Sequence, residues 1–280
     1  MATQLCWCGC ALAPSVHPEY GTCSVCGTLV LQRLPESGEL KGYYGIDAYW
    51  RGEVVNVSGY PSIDERARRD FGDRIPVWWR ILKRYSNSTR SLLEIACSHG
   101  GFLAYAREQG VNEVVGIEVD EGTCRFAMEH FNLPHVAPGL FPDVSLPRTC
   151  FDAIVGFDVF EHFRDPEAAA KALERLLAPG GLILLQTPCY RGEDKAWEQF
   201  RPAEHLFLFN EENIRQLMAR AGLEVTATFD GMFPDDMYVV CRRASELSRS
   251  ARMLDQLRAI TPLRRKATKA ERRAAAARKG

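Results

Sequence analysis

From Ser91 onward the chain alternates short apolar runs with amphipathic ones, and this alternation restricts the fold more than any other feature. Ser91-Leu92-Leu93-Glu94-Ile95 reads as a buried strand, Phe102 to Gln109 as a helix closed by Gly110, and Val114 to Glu118 as a second strand. Asp120 can cap a helix running to about Phe131, because its side chain accepts a free amide hydrogen of the first turn. Phe151 to Phe157 is a further apolar strand. Asp165-Pro166-Glu167 then opens a helix with a capping side chain, proline at the first position and an acid in the first turn. That helix is expected to end at Pro179-Gly180-Gly181, with Leu182 to Gln186 as the next strand. Asn210-Glu211-Glu212 starts another helix, stopped by Gly222, and Leu223 to Phe229 and Met237 to Arg242 read as the last strands. Strands alternating with helices imply βαβ units, hence an α/β fold with a parallel sheet covered on both faces.

The flanks differ from this core. Residues 35–85 carry Tyr43, Tyr44, Tyr49, Trp50 and Tyr60, then a charged stretch from Ile63 to Phe71. Pro76 precedes Val77-Trp78-Trp79-Arg80-Ile81-Leu82, which predicts one or two helices with proline at a first helical position. The expected organisation is a segment 1–34, a helical and aromatic cap 35–85, a core 86–243 and a basic helical tail 244–280. Net charge is −1, yet Arg242 to Gly280 holds thirteen Lys/Arg against three Asp/Glu, or +10, which leaves −11 for the rest. No apolar run approaches the ~18 residues of a spanning helix. The N-terminus lacks a basic stretch followed by an apolar one, so a cytoplasmic protein is expected.

Five of the ten cysteines lie in the first 26 residues: Cys6, Cys8, Cys10, Cys23 and Cys26. The other five fall in apolar segments and read as small packing residues. Cys23-x-x-Cys26-Gly27 is a thiolate knuckle, and Cys6-x-Cys8-Gly9 is a tighter version upstream. Two such pairs supply four thiolates for a tetrahedral, structural Zn2+, with Cys6, Cys8, Cys23 and Cys26 as ligands and Cys10 or His17 as alternatives for one of them. A segment this short has too few apolar residues to fold unaided, and a metal supplies the missing stability.

After the first strand comes Glu94-Ile95-Ala96-Cys97-Ser98-His99-Gly100-Gly101-Phe102. Its small residues let the backbone turn tightly and approach a ligand closely. In a doubly wound sheet, ligands bind beyond the carboxyl ends of the strands, where the strand order switches. Glu118 ends the second strand, 24 residues after Glu94, where a carboxylate can accept both hydroxyls of a ribose. Glu94 beside the loop repels a pyrophosphate and suits a cofactor with an amino group.

In these segments the sequence resembles the class I S-adenosylmethionine (SAM)-dependent methyltransferases. Their first motif is an acid followed by Gly-x-Gly-x-Gly; here Ala96 and Ser98 replace two glycines and Gly100 stands. Gly116-Ile117-Glu118 matches the second motif. Phe151 to Val155 with Asp158-Val159-Phe160-Glu161-His162 matches the fourth-strand segment, and Leu176 to Gly181 the turn before the fifth strand. The resemblance covers roughly residues 45 to 243 and competes with another Rossmann protein, such as a dehydrogenase. It implies a Rossmann-like, doubly wound, mostly parallel seven-stranded sheet, and SAM bound by Glu94, Ala96, Ser98, Gly100, Glu118, Leu140 and Asp158. Before the fourth strand the family usually has an acid near the adenine. Here Gly139-Leu140-Phe141-Pro142 has none until Asp143, so apolar contact with Leu140 and backbone hydrogen bonds take that role. Some members carry an N-terminal zinc-binding segment that ends in Cys-x-x-Cys-Gly; most of these use Cys-x-x-Cys first as well, from which Cys6-x-Cys8 departs.

Methyl transfer needs an in-line nucleophile, exclusion of water and, for a hydroxyl acceptor, a base. Of six histidines, His17 lies in the cysteine segment, His99 in the cofactor loop, and His130 and His135 away from the expected cleft. His205, after the fifth strand, is the expected base, and His162, after the fourth, its alternative; Glu161 and Tyr190 are secondary candidates. In related sequences the Glu-His pair after the fourth strand is common across substrates, so an architectural role for His162 stays open. Tyr49-Trp50 and the helix with Arg66 and Arg68 are expected to form a lid, with an arginine pairing the cofactor carboxylate. The leading reading is O-methylation of a small-molecule acceptor, a sugar or secondary metabolite. The alternatives are an RNA methyltransferase, for which zinc and a basic tail speak, and a non-catalytic SAM-binding scaffold.

Overall fold

The computed structural model describes residues 4–36, 38–39, 44, 62–86 and 88–260. Three short strands open the chain, β1 (Leu12–Pro14), β2 (Tyr20–Cys23) and β3 (Leu29–Leu31), followed by helices α1 (Ile63–Gly72) and α2 (Arg74–Tyr85). The core runs β4 (Ser91–Ile95), α3 (Gly101–Glu108), β5 (Glu113–Glu118), α4 (Glu121–Phe131), β6 (Val136–Pro138), β7 (Phe151–Phe157), α5 (Pro166–Leu176) and β8 (Leu177–Pro188). It continues with β9 (Phe207–Leu208), α6 (Glu211–Arg220), β10 (Leu223–Asp230), β11 (Asp236–Arg243) and α7 (Arg249–Ile260).

Seven strands form one sheet in the order β10-β11-β8-β7-β4-β5-β6. β6, β5, β4, β7 and β8 are mutually parallel, and β11 is antiparallel to both of its neighbours. This is the mostly parallel, seven-stranded, doubly wound sheet that the alternation and the resemblance imply. β4 and β7 lie side by side while their crossovers lead to opposite edges, so a crevice opens beyond their carboxyl ends. The side chains of Asp120 and Asp165 accept amide hydrogens from Thr123 and Ala168, and Asn210 forms a reciprocal capping box with Asn213.

Three details differ from expectation. Pro76 is the third residue of α2, not the first. α5 stops at Leu176, and Pro179-Gly180-Gly181 lies inside β8, as an irregularity that shifts the register between Phe151↔Leu177 and Ala153↔Leu182. The N-terminal sheet, ordered β1-β2-β3-β9, takes its fourth strand from the core. Leu29 pairs with Leu208 and Val30 with Phe207, so the cysteine segment is anchored to the chain just after His205. No periodic signal marks β9, which is two residues long.

Apolar side chains fill both faces of the large sheet. One cluster joins Tyr20, Leu29, Phe160, Phe207 and Phe209 beneath the N-terminal sheet. The other packs Ile75, Trp78 and Leu82 of α2 against Leu92, Phe102 and Phe157. Each such buried side chain contributes roughly 1.5–3 kcal/mol. Among the described residues, no helix is long and apolar enough to cross a membrane.

Candidate functional site

After β4 the chain turns through Ala96, Ser98 and Gly100, all left-handed at φ 52°, 50° and 79°. Small side chains keep that backbone affordable. A Cβ on Gly100 would meet Leu133 Cδ1 at 2.6 Å and Ala127 Cβ at 2.9 Å, so glycine is required for α3 to pack on α4. Glu118, at the end of β5, pins the loop from below: Oε2 accepts the Ser98 amide hydrogen at 2.9 Å and Oε1 that of Val119 at 2.7 Å. Glu94 is buried on β4, and its Oε2 has no hydrogen-bond partner. Burial and then the neighbouring Glu118 push its carboxyl well above the usual range. A cleft of about 1320 Å3 opens beyond these groups, and Glu94, Ala96, Ser98, Glu118, Leu140 and Asp158 all line it. Gly100 does not line it; it sits behind the loop and sets its shape.

The donor set fits SAM. The unpartnered Glu94 oxygen suits an amino group, the remaining lone pairs of Glu118 suit hydroxyls, and Leu140 with Ile117 and Phe141 offers apolar surface for a base.

The opposite wall is acidic. Asp158 follows β7 at φ 53°. Gln186, fully buried in β8, donates to Asp158 Oδ1 and to Asp236 Oδ2, both at 2.8 Å, and accepts Trp78 Nε1–H at 2.7 Å. Burial, then Asp158 and Glu161, push Asp236 up to about 8. Arg74 lies 3.2 Å from Asp70 and 3.7 Å from Asp158. Gly101 N–H donates to His99 Nδ1 at 3.1 Å, so His99 Nε2 carries the hydrogen shared with Asp70 at 3.2 Å. Of the expected lid arginines, Arg66 lines the cleft and pairs with Asp70 at 2.5 Å. Arg68 pairs with Glu65 on the outer side of α1 with 72% of its side chain exposed, too far out for a cofactor contact. Tyr49 and Trp50 lie outside the described residues.

Glu161 and His162 stand on a short 3-10 turn, Phe160–His162, and His205 directly precedes β9's neighbour Leu206. The Leu206 amide donates to the Glu161 carbonyl at 2.8 Å, which ties the two segments together. All three side chains line the cleft, with ring centroids of the two histidines 5.2 Å apart. Tyr190 is turned away, with its hydroxyl on the Glu193 carbonyl at 3.3 Å and its ring against Trp197. Burial, then Asp158, push Glu161 up to about 8. Sequence reasoning missed Arg74, Gln186 and Asp236. The available signal was the polar pair Gln186-Thr187, which ends an otherwise apolar strand.

At the N-terminus the sulfur atoms of Cys6, Cys8, Cys23 and Cys26 all lie within 4.8 Å of one another. The separations Cys6–Cys26, Cys8–Cys23 and Cys8–Cys26 are 3.5, 3.4 and 3.8 Å. Tetrahedral zinc with bonds of about 2.3 Å sets sulfur spacings of about 3.8 Å, so this donor set fits the ion. Gly9 and Gly27 are left-handed, and the amide of each turns back onto the carbonyl of the first cysteine in its knuckle, Cys6 and Cys23. Cys10 and His17 stand outside the cluster: Cys10 Sγ contacts the Cys8 carbonyl, and His17 stacks on Phe200.

A family model described as a methyltransferase domain matches residues 64–228. A Mycolicibacterium smegmatis protein described as a "Probable S-adenosylmethionine-dependent methyltransferase" is 28% identical over 161 residues, 56% of this chain and 60% of that protein. A tRNA U34 carboxymethyltransferase of Pseudoalteromonas translucida is 32% identical over 151 residues, 52% of this chain and 45% of that protein. The chain thus spans about half the length of these relatives. The solved PH0226 protein of Pyrococcus horikoshii shares the fold, with TM-score 0.50 and 18% identity over 61% of this chain and 89% of that one. With the family match covering most residues of the cleft, the strand order β10-β11-β8-β7-β4-β5-β6 and the acid-flanked loop converge on one assignment: this chain belongs to the class I SAM-dependent methyltransferases.

Proposed function

We propose that this methyltransferase acts on a hydroxyl of a small molecule, such as a sugar or secondary metabolite. SAM is assigned to Glu94, Ala96, Ser98, Glu118, Leu140 and Asp158, and the acceptor to the wall of His162 and His205. The observation that carries this reading is a single cleft with an unpartnered buried carboxylate oxygen at one end and two neutral imidazoles at the other. SAM supplies an electrophilic methyl group on a positively charged sulfur. Burial raises the carboxyls of Asp158, Glu161 and Asp236, so a cation bound in the cleft favours their charged form, and Leu140 with Phe141 offers apolar surface beside it. His205 assists ionisation of the acceptor, with His162 as the alternative. Burial lowers both imidazoles, so each keeps a lone pair at neutral pH. Cys6, Cys8, Cys23 and Cys26 are assigned one structural Zn2+, which leaves no open position for chemistry.

A tRNA substrate draws support from the tRNA U34 relative and the basic tail. Against it, among the described residues of that tail Arg242, Arg243, Arg252 and Arg258 are paired with acids of this chain. Incubation with methyl-labelled SAM and fractionated cell extract separates the two. Label is expected in the small-molecule fraction, and His205→Ala is expected to lower turnover about 10²–10⁴-fold with SAM affinity intact. Label confined to RNA would overturn the small-molecule reading.

A further inference from the structure

One atom at the acceptor end of the cleft has no explanation within the protein alone. Among the described residues Glu161 Oε1 is buried without a hydrogen-bond partner, while Oε2 accepts the Thr187 hydroxyl at 2.8 Å. Two nitrogens approach that oxygen without bonding to it: His162 Nε2 at 3.7 Å and His205 Nε2 at 4.0 Å, both too far for a hydrogen bond. The ring tautomers follow from their other contacts. Nδ1 of His162 lies 2.7 Å from the Glu204 carbonyl, which only accepts, and 2.9 Å from the Tyr44 hydroxyl, which can accept as well, so a hydrogen on Nδ1 satisfies both contacts. Nδ1 of His205 likewise donates to the Gln199 carbonyl at 2.7 Å. Each Nε2 therefore presents a lone pair. Three Lewis-basic atoms from Glu161, His162 and His205 converge within 4.8 Å of one another.

We propose that Glu161, His162 and His205 bind a divalent first-row transition-metal ion, at a site separate from the cysteine knuckle and with open positions for an acceptor oxygen. Two imidazoles and one carboxylate suit this class of ion and leave part of its coordination sphere free. Bonds of about 2.1 Å set donor spacings of about 3–3.5 Å, so the gaps of 3.7 and 4.0 Å to Glu161 Oε1 need to close by roughly 0.2–1 Å. Nδ1–H bonds to backbone carbonyls are the contacts that orient imidazole ligands, and the Leu206–Glu161 backbone bond fixes the two ligand segments against each other. Of the cations that line the cleft, Arg66 and Arg74 are both engaged by Asp70. With the ion bound both Nε2 lone pairs are engaged, so the histidines then assist ionisation of the acceptor through the ion and not as free bases. The docking of an acceptor oxygen rests on the function proposed above, and the binding of the ion does not.

The test is a Mn2+ titration of the full chain carrying a single zinc ion, with free Mn2+ read from its electron paramagnetic resonance. One Mn2+ per chain is expected beyond the zinc, with hyperfine coupling to two imidazole nitrogens. Glu161→Gln, which keeps the shape and the Thr187 contact, and His162→Gln are each expected to weaken binding at least about tenfold. Calorimetric SAM binding, measured without Mn2+, reports separately on the cofactor reading and on the fold of each variant. No second cation at millimolar Mn2+, bound Mn2+ without nitrogen coupling, or variants that bind as tightly as the wild type would each overturn the proposal.

Discussion

Gly100 shows how a single position serves the cofactor loop without touching the cleft. Its φ is 79°, and a Cβ there would collide with Leu133 and Ala127. Gly100→Ala is therefore expected to lower stability by about 1–3 kcal/mol, from overpacking and a left-handed backbone together, as measured by denaturant unfolding. Ala96→Gly, at φ 52° but lining the cleft, is expected to be neutral or stabilising; a loss as large as that of Gly100→Ala would contradict this division of roles. At this scale much was legible. Glu94 and Glu118 stand out because a carboxylate inside or ending an apolar strand costs free energy without a partner. Gln186 and Asp236 were not legible as a pair, since their contact joins residues 50 positions apart across adjacent strands.

Among the elements, the N-terminal sheet departs furthest from what local pattern conveys. Its knuckles were readable from cysteine spacing, because two short turns bring four sulfur atoms within 4.8 Å of one another. Its docking was not, because β9 is two residues long and pairs with β3 across the chain. The consequence is functional. The Tyr20 hydroxyl donates to the His205 carbonyl at 2.7 Å, and the Leu31 amide donates to the Leu206 carbonyl at 2.9 Å. Zinc assigned to this sheet thus stabilises the segment that carries His205. Elemental analysis of protein purified without added metal is expected to give one zinc per chain, and Cys23→Ser is expected to lose it. Turnover should then fall more than SAM affinity, since the cofactor loop belongs to the other end of the cleft. Less than about 0.3 zinc per chain would contradict the site, because structural zinc is tightly held.

Across the whole molecule, charge is partitioned as the composition implies, but the described part of the tail is not a free basic surface. Arg242 and Arg258 both reach Asp255, a buried acid that also accepts the Thr226 hydroxyl at 2.9 Å, and so α7 is fastened to the sheet edge. The order of motifs along the chain conveyed the sheet and its switch point, because each βαβ unit leaves a local signature. Where β9 and α7 dock depends on contacts distant in sequence, which no local pattern records. The central claim is that the crevice beyond β4 and β5 holds SAM, with Glu118 accepting the ribose hydroxyls. Isothermal titration of SAM into the wild type and Glu118→Ala tests it most directly, with a thermal melt to establish that the variant is folded. One site per wild-type chain is expected, with the variant weaker by roughly 1.5–3 kcal/mol. A folded Glu118→Ala protein with unchanged SAM affinity, or a wild type with no SAM binding, would contradict the account.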